Sequence, residues 1–400
     1  MPRQVKPPSG VPGFRFAGLA CGIKESGRKD LALIVSERPA TAAAIFTRNR
    51  IKSPTVVSGR TRVARGRLQA VVANSGNANA CTGPGGLRDS EAMCAETARH
   101  LGMDARQVLP SSTGIIGVPL PMETIARGIA AAVAALAPDA LQDAAEAIMT
   151  TDNGPKTAAA SCRIGGRTVH VAGIAKGAGM IAPNMATMLC YVLTDADVAP
   201  AALRPMLRRA ADETFHAITV DGDTSTNDTV LCLANGVAGN PRITRGGEGE
   251  DVLERALTRV MKELALKVVA DGEGTKKLVE VQVDGARTVA EARRVAFTVA
   301  NSKLVKTAFF GEDPNVGRLM MAVGNAGVPV VEETIDITLG GVRVVRRGVA
   351  VGTREAAATK VMQRPSFVVR ISLGMGEART SVWTSDLGHE YIRINSDYRT

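Results

Sequence analysis

Histidine is scarce in this chain: four among 400 residues (His100, His170, His216, His389), none within a helical turn of another. A Ser-His-Asp system has little to draw on, since His100 falls in a helical pattern, His170 in a strand pattern, and no G-x-S-x-G occurs. Six cysteines (Cys21, Cys81, Cys94, Cys162, Cys190, Cys232) show no C-x-x-C spacing, which with so few histidines speaks against a zinc site. They read as free thiols, and Cys190 as core rather than as a nucleophile. Aromatics make up 3% of the chain, too few for stacking platforms, and Lys/Arg occur in short separate groups such as "RTRVARGR" and "RVVRRG". The net charge of +10 therefore suits small anionic substrates better than nucleic acid. Neither G-x-x-x-x-G-K-[ST] nor G-x-G-x-x-G is present, and "RGGEGE" carries two glutamates that would repel phosphate. No apolar run approaches about eighteen residues, and the start "MPRQVKPPSGVPGFRFAG" lacks an apolar stretch of signal-peptide length. A cytoplasmic protein without a membrane span is expected.

Against these absences stands a regular alternation of patterns. Strands are predicted in "LALIVSERPATAAAIFT", "LQAVVANSG", "RTVHVAGIAKG", "KLVEVQVDG", "RRVAFTVANS", "IDITLGGVRVVRRGV" and "SFVVRISLGMG". Helices are predicted in "DSEAMCAETARHLG" with Asp89 as N-cap, in "APAALRPMLRRAADETF", in "EDVLERALTRVMKELALKVVA", and in the Ala-rich stretch 122–150, broken near Pro138. The alternation in "VRVVRRGV" puts arginines on the solvent face of a strand, and "GNPRITRGGEGED" reads as a surface loop. No short-period repeat occurs, so helices layered on sheets are expected, class α/β or α+β.

Four polar stretches separate these elements: "NSGNANACTG" (74–83), "SSTGIIG" (111–117), "VDGDTSTNDT" (220–229) and "ADGEGTKK" (270–277). Polar turns after apolar strands are where a rigid scaffold displays functional groups, although ordinary turns have the same composition. Asp221, Asp223 and Asp228 of the third lack the EF-hand glycine and terminal glutamate, and read as hydrogen-bonding scaffold rather than a metal site. A fifth stretch, "KGAGMIAPNMATMLC" (176–190), holds one hydroxyl, Thr187, at the head of an apolar run. It is open to two readings: a buried strand with an incidental hydroxyl, or a nucleophile set at the start of a rigid element. Without a histidine, such a nucleophile needs another base, and an N-terminal threonine supplies its own α-amine after cleavage between Ala186 and Thr187.

Together, "KGAGMIAPNMATML", "NSGNANACTG", "SSTGIIG", "VDGDTSTNDT", "DGEGTKK" and "INSDYRT" resemble the glutamate N-acetyltransferase (ornithine acetyltransferase) family over nearly the whole chain. The resemblance implies a layered αββα sandwich of the ornithine acetyltransferase/DmpA-like type, self-cleaved into an α chain (1–186) and a β chain (187–400) that associate as α2β2. It implies ping-pong transfer of acetyl from N-acetylornithine to glutamate through Thr187, with Thr113 and Gly114 as the oxyanion hole. It also implies substrate contacts from Lys176, Thr187, Glu273, Asn395 and Thr400. No metal or tightly bound cofactor is implied, and the use of acetyl-CoA as a further donor is left open. Where the family reads "TTDT" this chain has "TTDN", so Asn153 is not carried over as a substrate contact. Two neighbouring enzyme readings stay open at this point: a self-processing aminopeptidase of related fold, and an acetyltransferase for another amine.

Overall fold

The computed structural model describes residues 10–182 and 188–397. Ala186, Thr187 and Thr400 lie outside the described residues. The chain divides into two compact units, the first taking residues up to 216 and 223–268, the second 217–222 and 269 onward.

The first unit is built on an eight-stranded sheet, β1 (Phe14–Leu19), β2 (Leu31–Phe46), β3 (Arg67–Asn77), β4 (Val108–Ile115), β5 (Lys156–Ile164), β6 (Arg167–Lys176), β7 (Leu189–Thr194) and β8 (Thr229–Ala234). The order is β4-β3-β2-β8-β7-β6-β5, with β1 paired to β2. Period-two alternation in β2 and β3 sends Ala32, Ile34, Val71 and Ala73 to one face and Leu31, Leu33, Ala70 and Val72 to the other. Both sets are buried because helices cover both faces. Met93 and Cys94 of α2 (Gly83–Leu101) and Ile125 and Ile129 of α3 (Met122–Ala134) pack on one; Leu141 and Ala144 of α4 (Leu141–Ala147) pack on the other. A short helix α1 (Pro54–Ala64), α5 (Pro200–Glu213) and α6 (Glu250–Ala270) complete the helices of this part of the chain. β7 and β8 are parallel and buried at every residue, which is why both read as unbroken apolar runs.

The second unit carries a six-stranded sheet of β9 (Leu278–Ala286), β10 (Asp336–Leu339), β11 (Val342–Arg346), β12 (Val349–Ala350), β13 (Ser366–Ser372) and β14 (Ala378–Ser385), ordered β12-β11-β10-β13-β9-β14. Val279, Val281 and Val283 of β9 bury one face of this sheet. Its helices are α7 (Val289–Asn301), α8 (Lys303–Phe310), α9 (Val316–Gly324), α10 (Glu355–Met362) and α11 (His389–Asp397). Arg343 and Arg346 of β11 are exposed as expected, though the adjacent Val344 and Val345 are both buried, so the strand does not follow strict period-two alternation. The mixed α/β class with helices layered on sheets is therefore the observed one.

Two expectations need correction. Residues 293–302, expected as a strand from their valines, lie mostly in α7, whose buried residues Ala292, Val295, Ala296, Val299 and Ala300 follow the helical i, i+3, i+4, i+7, i+8 spacing. The deciding signal lies upstream, where Thr288 Oγ1 accepts the Glu291 N–H in a T-x-x-E capping arrangement. Nor is Asp89 an N-cap. Helix α2 begins at Gly83, with Thr82 at the cap and a proline in the first turn, which puts Asp89 inside the helix.

Candidate active site

Thr113 and Gly114 stand at the carboxyl end of β4, beside the parallel strand β3, where open α/β sheets place ligands. Gly114 pairs with Gly76 across the ladder and has φ +128°. A Cβ there would lie 2.4 Å from the Gly76 carbonyl carbon and 2.6 Å from the Asn77 nitrogen. Both neighbours are backbone, so neither can move aside cheaply. Gly114→Ala is expected to lose about 1–3 kcal/mol from the backbone conformation alone, visible as a lowered Tm; an unchanged melt would mean that the ladder relaxes freely.

Lys176, the last residue of β6, is 1% exposed and donates from Nζ to Thr113 Oγ1 at 3.1 Å. β4 and β6 are separated by four strands in the sheet order, so this bond reflects the sheet's curvature rather than strand adjacency. A hydroxyl that accepts from an ammonium group keeps its own proton to donate, and is polarised to donate it better.

The charge on Lys176 has a buried counterweight that the motifs did not single out. Asp152, 3% exposed, accepts from Lys156 Nζ at 2.6 Å, from the Gly177 N–H at 2.7 Å and from the Thr150 N–H at 2.9 Å. Burial pushes its carboxyl up, but the Lys156 and Lys176 charges and the Gly177 N–H outweigh it and hold it at about 2. Its stabilising contribution is therefore present above the ordinary carboxylate range and lost as pH falls toward 2. Asp152 lies within the divergent "TTDN" itself, beside the exposed Asn153. Lys24 also stands near this centre. Its Nζ donates to the Lys29 and Met149 carbonyls, and burial lowers it to about 8, the Asp30 charge opposing and the Lys176 charge reinforcing the shift. Nothing in "CGIKESG" announces that role; only the folding of β1 and β2 brings Lys24 here.

Three of the five polar stretches are joined to one another by hydrogen bonds in this unit. Asn227 Nδ2 donates to the Ala78 and Ser112 carbonyls at 2.6 and 2.7 Å, and Ser112 Oγ donates to Asn74 Oδ1 at 2.6 Å. The stretch 176–190 reaches the same neighbourhood. Lys176 pairs with Leu189, Leu189 pairs with Thr229, and Asp228 Oδ1 accepts the Met188 N–H at 2.7 Å. Cys190 is fully buried, and burial pushes its thiol far up, consistent with core.

Glu273 and Asn395 belong to the second unit, and there they meet: Asn395 Nδ2 donates to Glu273 Oε2 at 2.7 Å and to the Tyr391 carbonyl at 2.9 Å. The "DGEG" turn is held from two sides. Asp386 Oδ1 accepts the Lys276 and Lys277 N–H groups, and Gly274, at φ +69°, packs against the Tyr391 backbone of α11. Asn395 thus sits in a helix rather than in a loose tail. No cluster of three or more His, Cys, Asp or Glu suited to a metal occurs among the described residues.

Residues 15–400 match the sequence profile of the ArgJ family. The chain is 50% identical to the arginine biosynthesis bifunctional protein ArgJ of Geobacter sulfurreducens over 391 residues, 98% of this chain and 100% of that one. It is also 50% identical to the protein of that name from Symbiobacterium thermophilum over 390 residues, 97% of each. Among solved structures, the ArgJ protein of Bacillus halodurans superposes with a TM-score of 0.50 at 38% identity, covering 52% of this chain and 98% of that chain. The chain belongs to the ArgJ family.

Proposed function

We propose that the acetyl transfer performed by this enzyme of arginine biosynthesis passes through Thr187, in a chain that first cuts itself at that residue. The Thr187 hydroxyl attacks the Ala186 carbonyl carbon; an ester forms as the Ala186–Thr187 peptide bond breaks, the hydroxyl proton passing to the departing nitrogen. Water then hydrolyses the ester, releasing an α chain (1–186) from a β chain (187–400) whose new α-amine is the general base. N-acetylornithine next acetylates Thr187 and leaves as ornithine, and the glutamate amine takes the acetyl group. Each tetrahedral stage puts negative charge on an oxygen that the Thr113 hydroxyl and the Gly114 backbone stabilise. Lys176, Glu273, Asn395 and Thr400 bind substrate, the carboxylate of Glu273 suiting an ammonium group.

The observation that carries this reading is the Lys176 to Thr113 hydrogen bond, made from the strand position directly across from Leu189, two residues after Thr187. A donor hydroxyl and a positive charge are thereby placed beside the start of β7. The solved Bacillus halodurans chain, matched over nearly its whole length yet spanning about half of this one, is what one product of a cut near the middle would look like. The bifunctional name of the relatives favours a second activity, for which acetyl-CoA as the acetyl donor is the proposed reading. The two chains are proposed to remain together as α2β2, without a bound cofactor.

Intact mass under denaturing conditions, before and after brief exposure to N-acetylornithine, tests this. Two fragments dividing before Thr187 are expected, the later one gaining one acetyl group. A single uncut chain would overturn the self-cleavage, and two fragments without an acetyl gain would overturn the donor.

A further inference from the structure

Met188 is pinned on both sides. Its N–H donates to Asp228 Oδ1 at 2.7 Å, and its carbonyl accepts the Thr229 N–H at 2.9 Å. The first of these bonds holds the Met188 amide, and it uses a side chain where the β7–β8 ladder would otherwise begin. Asp228 is an odd residue for a purely structural cap: it is fully buried, and no donor among the described residues meets its second oxygen, Oδ2, with good hydrogen-bond geometry, the Thr47 hydroxyl nearby acting on the carboxyl only weakly. A buried carboxyl with one poorly satisfied oxygen is costly, and a serine or an asparagine would cap the same N–H more cheaply. One further observation ties it to the candidate site: Lys176, the donor to Thr113, is close enough for its charge to act on the Asp228 carboxyl.

We infer that Asp228 is a positioning residue for the nucleophile, acting through the Met188 amide to hold the peptide that follows Thr187 in one orientation, both during self-cleavage and afterwards, when that peptide anchors the new N-terminus. This rests on the reading of Thr187 as nucleophile. The uncut chain needs its hydroxyl aimed at its own preceding carbonyl, and the cut chain needs hydroxyl and amine aimed at a substrate. Both demands are met by fixing the bonds around residue 187 from its carboxyl side, the side that survives the cut. A misplacement of about 1 Å at a reacting centre costs on the order of 100-fold in rate.

Burial pushes the Asp228 carboxyl up to about 8, against the Met188 N–H, the Lys176 charge and the Thr47 hydroxyl. It is thus mainly neutral at pH 7, and a carboxamide reproduces its size, its neutrality and its accepting oxygen. Asp228→Asn also removes the cost of burying an ionising group, a cost that builds as pH rises from the ordinary carboxylate range to about 8, so this variant is expected to melt no lower than the wild type at pH 7.

The experiment compares wild type, Asp228→Asn and Asp228→Leu, following the appearance of the 187–400 fragment by intact mass and then kcat and KM for N-acetylornithine. Asp228→Leu, which removes the acceptor, is expected to slow cleavage and kcat by about 10- to 100-fold with little change in KM; Asp228→Asn is expected to recover most of both rates. A folded Asp228→Leu that cuts and turns over at the wild-type rate overturns the inference. A folded Asp228→Asn as slow as Asp228→Leu overturns it too, in favour of proton transfer by the carboxyl. Should Asp228→Leu not fold, Asp228→Ala, which also lacks the acceptor, is read in its place. A wild type that stays uncut marks failure of the Thr187 reading itself, so the two failures are told apart.

Discussion

Thr187→Ala yields a single chain of full length on denaturing gels and by intact mass, with no acetyl adduct after exposure to N-acetylornithine. Alanine keeps the apolar character of the segment and deletes the hydroxyl with one methyl group, so the expected loss is mainly chemical. Both reactions lose their nucleophile at once. Cys190, the nearest alternative in sequence, is fully buried and its thiol is pushed far from the thiolate form. Thr187→Ser is the informative companion, since it retains an oxygen in the same place and should still be cut. Two chains from Thr187→Ala would sink the assignment of the nucleophile and return Thr187 to an incidental place at the head of a strand.

Thr113→Ala is expected to lower kcat by about 10²- to 10³-fold, the usual consequence of removing one oxyanion donor, with KM for N-acetylornithine little changed. The reasoning rests on where the hydroxyl stands. It is 3% exposed, accepts from the Lys176 ammonium, and so has its own proton left to point at a developing negative oxygen. The same variant leaves a buried ammonium group short of one acceptor, at a cost of about 1.5–3 kcal/mol in stability. Kinetic and thermal measurements must therefore be made together. Thr113→Ser restores both donor and acceptor and should restore both quantities. A Thr113→Ala enzyme with a wild-type kcat would place the oxyanion donors elsewhere.

The buried electrostatics of this centre form a graded set. Asp152 is held ionised by two lysines, Lys24 is brought down toward neutrality by its own burial, and Asp228 is kept mainly protonated near neutral pH. An α-amine is a useful base only while neutral, and positive charge nearby favours that form whereas a nearby carboxylate opposes it. A protonated Asp228 adds no negative charge at the Met188 amide that it holds.

The sequence by itself determined the class, the family and most of the elements. Long apolar runs bounded by turn residues announce their strands whatever the tertiary context, as in β2, β3, β6 and β13. Helices as strongly periodic as α5 and α6 do the same, and Pro138 divides α3 from α4 as its missing N–H requires. Motifs long enough to be specific named Thr113, Gly114, Lys176, Glu273 and Asn395 as candidate site residues. Where local composition was ambiguous, the surroundings decided. The valines of α7 suit a strand, yet they form a helix because a capping threonine starts it and every buried position falls on one face. Helix α2 begins six residues before Asp89 because a proline is well placed in a first turn, and Gly86 lies where any side chain would strike Thr82 and Asn79. Only the folded chain could reveal Asp152 under Lys176, Lys24 beside them, or the grip of Asp228 on Met188, because each joins residues between 24 and 152 positions apart. A buried charge advertises itself by its partners, and partners that distant in sequence exist only once the strands have found their places.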